Sequence, residues 1–221
     1  MAALILELID KRDNVEIVRD QIAAILVVEL AHQATLSGAT DLPRVFIERS
    51  NPWGAFIEGD PEAAPIINVW FDNASFDPSS SNVVERQTCE ATFNIDCYGY
   101  GVSADDGDPS GGHSPGDLRA ALEAQRAVRY ARNILMAGAY TYLGLQGVVG
   151  KRFPQTISMM HPQIDNRAVQ RIVAARFALQ VRFNEFSPQV QGEALETLMV
   201  DVNRKETGEL LIRAEYPNPT P

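Results

Sequence analysis

Residues 88–101 read TCEATFNIDCYGYG, where Cys89, Ala91, Phe93, Ile95 and Cys97 alternate with Thr88, Glu90, Thr92, Asn94, Asp96 and Tyr98. Side chains of a strand point to opposite faces in turn, so this alternation predicts a β-strand with one face in a core and one in water. A second run of the same period covers 170–186. Here Val173, Ala175, Phe177, Leu179, Val181 and Phe183 are interleaved with Ala174, Arg176, Ala178, Gln180, Arg182 and Asn184. The two runs are expected to pair antiparallel and to form the backbone of a sheet whose apolar face needs a cover.

Two helical segments can supply it. After a Gly/Ser/Asp loop at 101–116, residues 117–136 carry Ala120, Ala124, Ala127 and Ala131 at spacings of four, three and four, extended by Val128, Ile134 and Leu135. An alanine stripe lets a helix axis come close to a sheet. Arg119, Arg126, Arg129 and Arg132 fall on the other side, as a solvated basic face or as an ion-pair surface toward another subunit. The first helix is expected to start at Asp13 or Asn14, run to about Thr35 and stop at Ser37-Gly38. Its stripe is Val15, Val18, Ile22, Ile25, Leu26 and Leu30. Ala24, Val27 and Val28 make its second half apolar almost all round, which calls for burial under its own loops or against a neighbouring subunit.

Shorter strands are predicted at 44–48, 66–71 and 156–160, with turn chemistry in Asn51-Pro52-Trp53-Gly54 and Gly59-Asp60-Pro61. Residues 72–86 read as a loop in which Phe76 is a core anchor or a contact residue. At the C-terminal end, 197–204 and 209–216 flank Lys205-Glu206-Thr207-Gly208 as a β-hairpin, followed by an extended tail, PNPTP. A lone hairpin is marginal in water, so Leu198, Val200, Val202, Leu210 and Ile212 must dock on the chain's own sheet or on a neighbour's sheet edge. The expected class is α+β: a mostly antiparallel sheet flanked by two main helices on one side, plus a C-terminal β-hairpin extension. The expected organisation is a main domain at 1–190 and a hairpin arm with its tail at 191–221.

With 221 residues, 45% of them hydrophobic, the chain is sized for one ordinary core. Its net charge of −10 argues against a nucleic-acid reader, because affinity for phosphate comes from clustered Lys and Arg. Acidity still suits a wall past which DNA slides without adhering. Cys89 and Cys97 lie on one face of one strand, about 26 Å apart at the usual rise, too far to bridge. They are expected as buried free thiols of a protein made in a reducing cytoplasm. The N-terminal MAALILELIDKRD lacks a basic leader region and its apolar stretch is broken by Glu7, so no signal peptide or membrane span is expected. The sequon Asn73-Ala74-Ser75 then has no role.

Signals for catalysis are weak throughout. There is no phosphate loop, and Gly99-Tyr100-Gly101 lacks the third glycine and helix start of a dinucleotide fingerprint. His32, His113 and His161 each lack a second ligand at metal spacing. Asp105, Asp106 and Asp108 lack the alternating spacing and distal Glu of a calcium loop. Cys89 and Cys97 sit on the apolar phase of their strand, away from any activating base. The expectation is therefore a non-enzyme with no catalytic, cofactor-binding or metal residue and no cofactor.

The order of elements, with NPWGAFIEG and PIINVWFDNASFD before the first long strand, TFNIDCYGYG within it, ALEAQRAVRYARNIL in the helix and VAARFALQVRFNEFSPQ in the last long strand, resembles the tail terminator and tail completion proteins of tailed bacteriophages. The resemblance covers about residues 13–188, and the C-terminal hairpin departs from the minimal family pattern. It implies a virion protein of the neck region that forms a ring, usually of six subunits. Such a ring caps the last ring of the tail tube, ends tube polymerisation and joins the tail to the head-side connector or neck proteins, and to a sheath if the tail is contractile. It also implies a lumen through which DNA passes without specific binding, synthesis in the bacterial host cytoplasm, and no membrane partner. Loop 101–116, acidic and Gly-rich, is then a candidate for the lumen or for ordering on assembly. The alternatives are a head-completion or neck adaptor, another tail structural protein, and a small cytoplasmic enzyme or binding domain using residues 97–101.

Overall fold

The computed structural model describes residues 8–57, 65–78, 86–102, 116–160, 162, 170–186, 197–203 and 210–217. They fall into a main unit, Asp10–Ser187, and a second unit that contains the C-terminal hairpin.

The main unit is an α+β fold. Its five-stranded open sheet has the order β1-β2-β3-β5-β4, built from β1 (Arg44–Ile47), β2 (Ile66–Phe76), β3 (Arg86–Val102), β4 (Val149–Met160) and β5 (Gln170–Phe186). Among the described strands of this sheet, only β1 and β2 pair parallel. The two long alternating runs pair antiparallel as expected, Cys89 opposite Phe183 and Cys97 opposite Ala175, so both apolar phases fall on one face. Helices α1 (Asn14–Ser37) and α3 (Asp117–Leu135) cover that face, and α2 (Gly54–Ile57) is a single turn opened by the Asn51-Pro52-Trp53-Gly54 segment. Cys89, Ala91, Phe93, Ile95, Cys97, Phe177, Leu179 and Val181 share one core with Ile22, Leu26, Ala124 and Ala131 of the helices.

Local chemistry sets the helix ends. The Asp13 N–H donates to the Glu16 carboxylate at 3.2 Å, satisfying one donor ahead of the first turn. Gly38 closes α1 at φ +67°, its N–H donating to the Ala34 carbonyl at 2.8 Å, a conformation that costs glycine nothing. The alanine stripe of α3 is wholly buried. It lies so close to β3 that a Cβ on Gly99 would sit 2.0 Å from the Ala120 carbonyl oxygen. Gly99 and Gly101 are thus points of helix–strand contact.

Three sequence expectations are corrected. Residues 72–76, read as the start of a loop, continue β2 beyond a register shift between Phe71 and Asn73, because β3 offers them partners as far as Cys89. Phe76 is accordingly a strand residue, and it is exposed rather than a core anchor. Strand β4 starts at Val149 rather than 156; its first half is polar, contains Pro154 and is interrupted by two register shifts, features that hide an edge strand from a periodicity search. The third correction concerns the face of β3 expected in water. Thr92, Asn94, Asp96 and Tyr98 are all buried there. A second cluster, Phe56, Ile66, Tyr98 and Ala174 with Phe46, Trp53 and Tyr100, covers one end of that face. Trp53 packs on Tyr98 at 5.5 Å and Phe56 stacks on Tyr100 at 5.2 Å between ring centroids.

In the second unit, β6 (Thr197–Asn203) and β7 (Leu210–Pro217) form an antiparallel two-stranded sheet, as predicted. The expected turn at 205–208 and the PNPTP tail beyond Pro217 lie outside the described residues.

Candidate functional site

On the face opposite α1 and α3, strand register brings Asn68, Asp96 and Arg176 into one row across β2, β3 and β5. The Asp96 carboxylate accepts hydrogen bonds from Arg176 Nε at 2.7 Å and Nη2 at 2.9 Å, and from the Trp70 indole N–H at 2.9 Å. The Arg176 guanidinium also lies 4.8 Å from the Trp70 ring centroid. The two-pronged contact matches the planar fork of arginine to both carboxylate oxygens. Asn68 bonds the Arg49 main chain in both directions at 3.1 Å, tying the segment after β1 to β2. The Asp96 side chain is only 5% exposed and Arg176 30%, so the pair sits at the boundary of solvent. Hydrogen bonding to Asp96 raises the Arg176 pKa further above its already high ordinary value. Burial, then the charge of Asp96, pushes the Tyr98 hydroxyl well above the usual phenol range. The Asp96 carboxylate thus holds donors from β2 and β5 at once. What it does is brace three strands in a single register.

The opposite layer is incompletely covered. Five strands at about 4.8 Å spacing present roughly 24 Å of sheet, and two helices about 10 Å across cover roughly 20 Å of it. The strand left over is β4. Its helix-side residues Ile157 and Met159 are 50% and 41% exposed. Beside them runs a groove of about 230 Å³ lined by Gln125, Val128, Arg129, Arg132, Ile157, Met159 and Ala175. Elsewhere, the outer side of α1 exposes Val27 (52%), Val28 (64%) and Leu36, so the described residues do not bury that face.

The arginines of α3 divide by role. Arg126 pairs with Asp41 at 2.6 Å and with Glu123 at 3.6 Å, and Arg119 pairs with Glu123 at 3.3 Å. The Arg126 contact holds the Asp41 carboxyl below its ordinary pKa. Arg129 and Arg132 are exposed and wall the groove.

The residues weighed for chemistry do not converge. Cys89 and Cys97 are free and buried. Burial, reinforced by the charges of Glu185 and Glu90, pushes the Cys89 thiol up to about 11, and burial with the Asp96 charge raises Cys97 well above the ordinary thiol value. Gly99 and Gly101 face the α3 backbone, leaving no room there for a phosphate. His32 is exposed on α1 and Asn73 is exposed on β2, while His113, His161, Asp105, Asp106 and Asp108 lie outside the described residues. Among the described residues no three His, Cys, Asp or Glu side chains group as metal ligands would, and no helix is long and apolar enough to cross a membrane. Local pattern alone passed over the Asp96–Arg176–Trp70 brace. Its signal was present in the antiparallel register of the two long strands, which sets an Asp opposite an Arg on the polar phase of both.

No protein-family model matches this chain, and no curated protein matches it.

Proposed function

We propose that the chain is a structural subunit of a bacteriophage tail: a terminator that forms a ring at the head-proximal end of the tube, ends tube polymerisation and joins the tail to the head-side connector. The observation that carries this reading is the pair of unlike surfaces left open on the main unit. One is the apolar outer side of α1, and the other is the β4 edge with its arginine-walled groove. A closed ring of identical subunits needs two different, mutually complementary surfaces, whereas a two-fold dimer needs one that complements itself.

Other features support the same reading. The sheet is cross-braced at Asp96 and tightly seated on α3 through Gly99, which suits a part that must hold its shape under load. Its charge of −10 per copy suits a lumen that DNA traverses without adhering. The wording of 13–188, which resembles tail terminator and completion proteins, points the same way. In this reading the partners are further copies of the chain, the tail tube protein and the head-side neck proteins. The protein is made in the host cytoplasm and carried in the virion, and no step of its work is catalytic.

The test is tube growth. Tail tube protein from the same phage, polymerised with the full chain added, is expected to stop lengthening at substoichiometric amounts of the chain, as read by light scattering. Growth indifferent to the chain at equimolar concentration refutes the proposal.

A further inference from the structure

The helix layer of the main unit has one slot without a helix and one helix face without a cover. A sheet face is stable when it is buried against another element. Over β4 no described helix does this: Ile157 and Met159 stand exposed in the groove, and Arg129 and Arg132 of α3 wall it. From Gln125 to Arg132 the groove follows two turns of α3, about 10 Å of helix axis.

The unused face of α1 has the matching form. Ala24, Val27, Val28, Ala31 and Thr35 are all exposed. They stand at i, i+3, i+4, i+7 and i+11, which places them in one stripe. From Ala24 to Ala31 this stripe also runs two turns, about 10 Å. No Asp, Glu, Lys or Arg is exposed between Ala24 and Ser37, since Glu29 is half-buried and accepts the Tyr140 hydroxyl.

These two surfaces cannot meet within one molecule. The inner side of α1, with Val18, Ile22, Leu26 and Leu30, is held in the core, and the helix packs on β1 and β2. Strand β4 is the opposite edge of the same sheet, in the same unit. Between copies, charge selects the pairing. Helix α1 carries Glu16, Asp20 and Glu29 against Arg19, a net of −2, and has no basic residue in its last turn, where the helix dipole is negative. Helix α3 carries Arg119, Arg126, Arg129 and Arg132 against Asp117 and Glu123, a net of +2. Two α1 faces repel one another, as do two arginine-walled grooves, whereas one of each attracts.

We infer that the outer face of α1 from one copy of this chain seats in the groove over β4 of the next, where it lies beside α3 as the third helix of the acceptor's layer and sets Val27 and Val28 against Ile157 and Met159. This inference rests on the ring reading above and names the contact that links one subunit to the next. Donor and acceptor surfaces differ, so each copy gives and receives at once, as a closed ring requires.

The test is cross-linking of full-length variants, free and on tail tubes. Val28→Cys and Met159→Cys each place one thiol at an exposed position, while Cys89 and Cys97 are buried. With a short bis-maleimide linker, the double variant is expected to give a ladder of dimers, trimers and larger species on a denaturing gel. An equimolar mixture of the two single variants is expected to give dimers alone, and either single variant by itself none. Arg129→Glu with Arg132→Glu, two exposed positions on α3, added to the double variant is expected to abolish the ladder, with circular dichroism checking that the fold is kept. The inference is overturned by a double variant without a ladder or by a ladder that survives the arginine reversal. Dimers from Val28→Cys alone, which mean that α1 meets α1, or from Met159→Cys alone, which mean that two β4 edges meet, overturn it as well. Rings at tube ends without the cross-link overturn it while leaving the tail role intact. A chain that neither cross-links nor joins tail tubes overturns both.

Discussion

Replacing Gly99 by alanine tests the central packing contact of the fold. The new Cβ would lie 2.0 Å from the Ala120 carbonyl oxygen and 2.5 Å from the Ala124 main-chain nitrogen. Both neighbours belong to the backbone of α3, so no side chain can swing aside. Restoring van der Waals contact requires the helix to move away by more than an ångström, which loosens the buried alanine stripe along its length. Overpacking of this kind costs about 1–3 kcal/mol, and with rigid backbone on the receiving side the upper end applies. For a unit of this size, 3 kcal/mol corresponds to a fall in Tm of about 6–12 °C. Gly101→Ala should behave alike, because its Cβ would meet the Gly116 carbonyl oxygen at 2.2 Å. Gly138→Ala is the control: nothing lies within 4 Å of its Cβ, and its Tm should stay close to wild type. Thermal unfolding followed by circular dichroism reads all three. A Gly99→Ala protein melting within a degree of wild type would refute the packing argument.

Arg176→Met removes the two-pronged partner of the buried Asp96 carboxylate and should cost about 3 kcal/mol in urea unfolding. Adding Asp96→Asn should recover much of that loss; a double variant as unstable as the single would show that the charge was not the cause. Both cysteines should resist a thiol reagent at pH 8 in the native state and react on unfolding. Because folding raises the Cys89 pKa to about 11 and raises Cys97 as well, their stabilising effect is complete below the ordinary thiol pKa and fades as pH rises toward 11. Urea midpoints measured from pH 8 to 11 should therefore fall, and the Cys89→Ala variant should show a shallower slope. An equal slope in that variant would contradict the assignment for Cys89.

Where a structural consequence depends on neighbours in sequence, it could be read directly. The alternation of 88–101 and 170–186, the alanine stripe of α3 and the Asp13 and Gly38 ends of α1 are local patterns, and each is realised. What escaped depends on partners far along the chain. Asp96 looks like a wet-face residue until Arg176, eighty positions away, is set opposite it. Residues 72–76 have weak strand character of their own and are held by the register of β3. Gly99 and Gly101 invite comparison with a nucleotide loop, and their purpose emerges only once α3 is laid on them. The groove beside β4 follows from a mismatch between the width of five strands and that of two helices, a property of the assembled layer that no single segment carries. The excess of apolar residues on α1, Val27 and Val28 among them, was legible in the sequence, whereas Ile157 and Met159 read as ordinary strand residues and their exposure follows from the assembled layer.

The account depends most on the claim that copies of this chain close into a ring at the end of a tail tube. Electron cryomicroscopy of tubes polymerised with the full-length protein addresses it directly. The predicted image is one ring of identical subunits, with an axial opening, seated at a single end of each tube. Tubes with bare ends, beside a chain that runs at its monomer mass at every concentration, would contradict it.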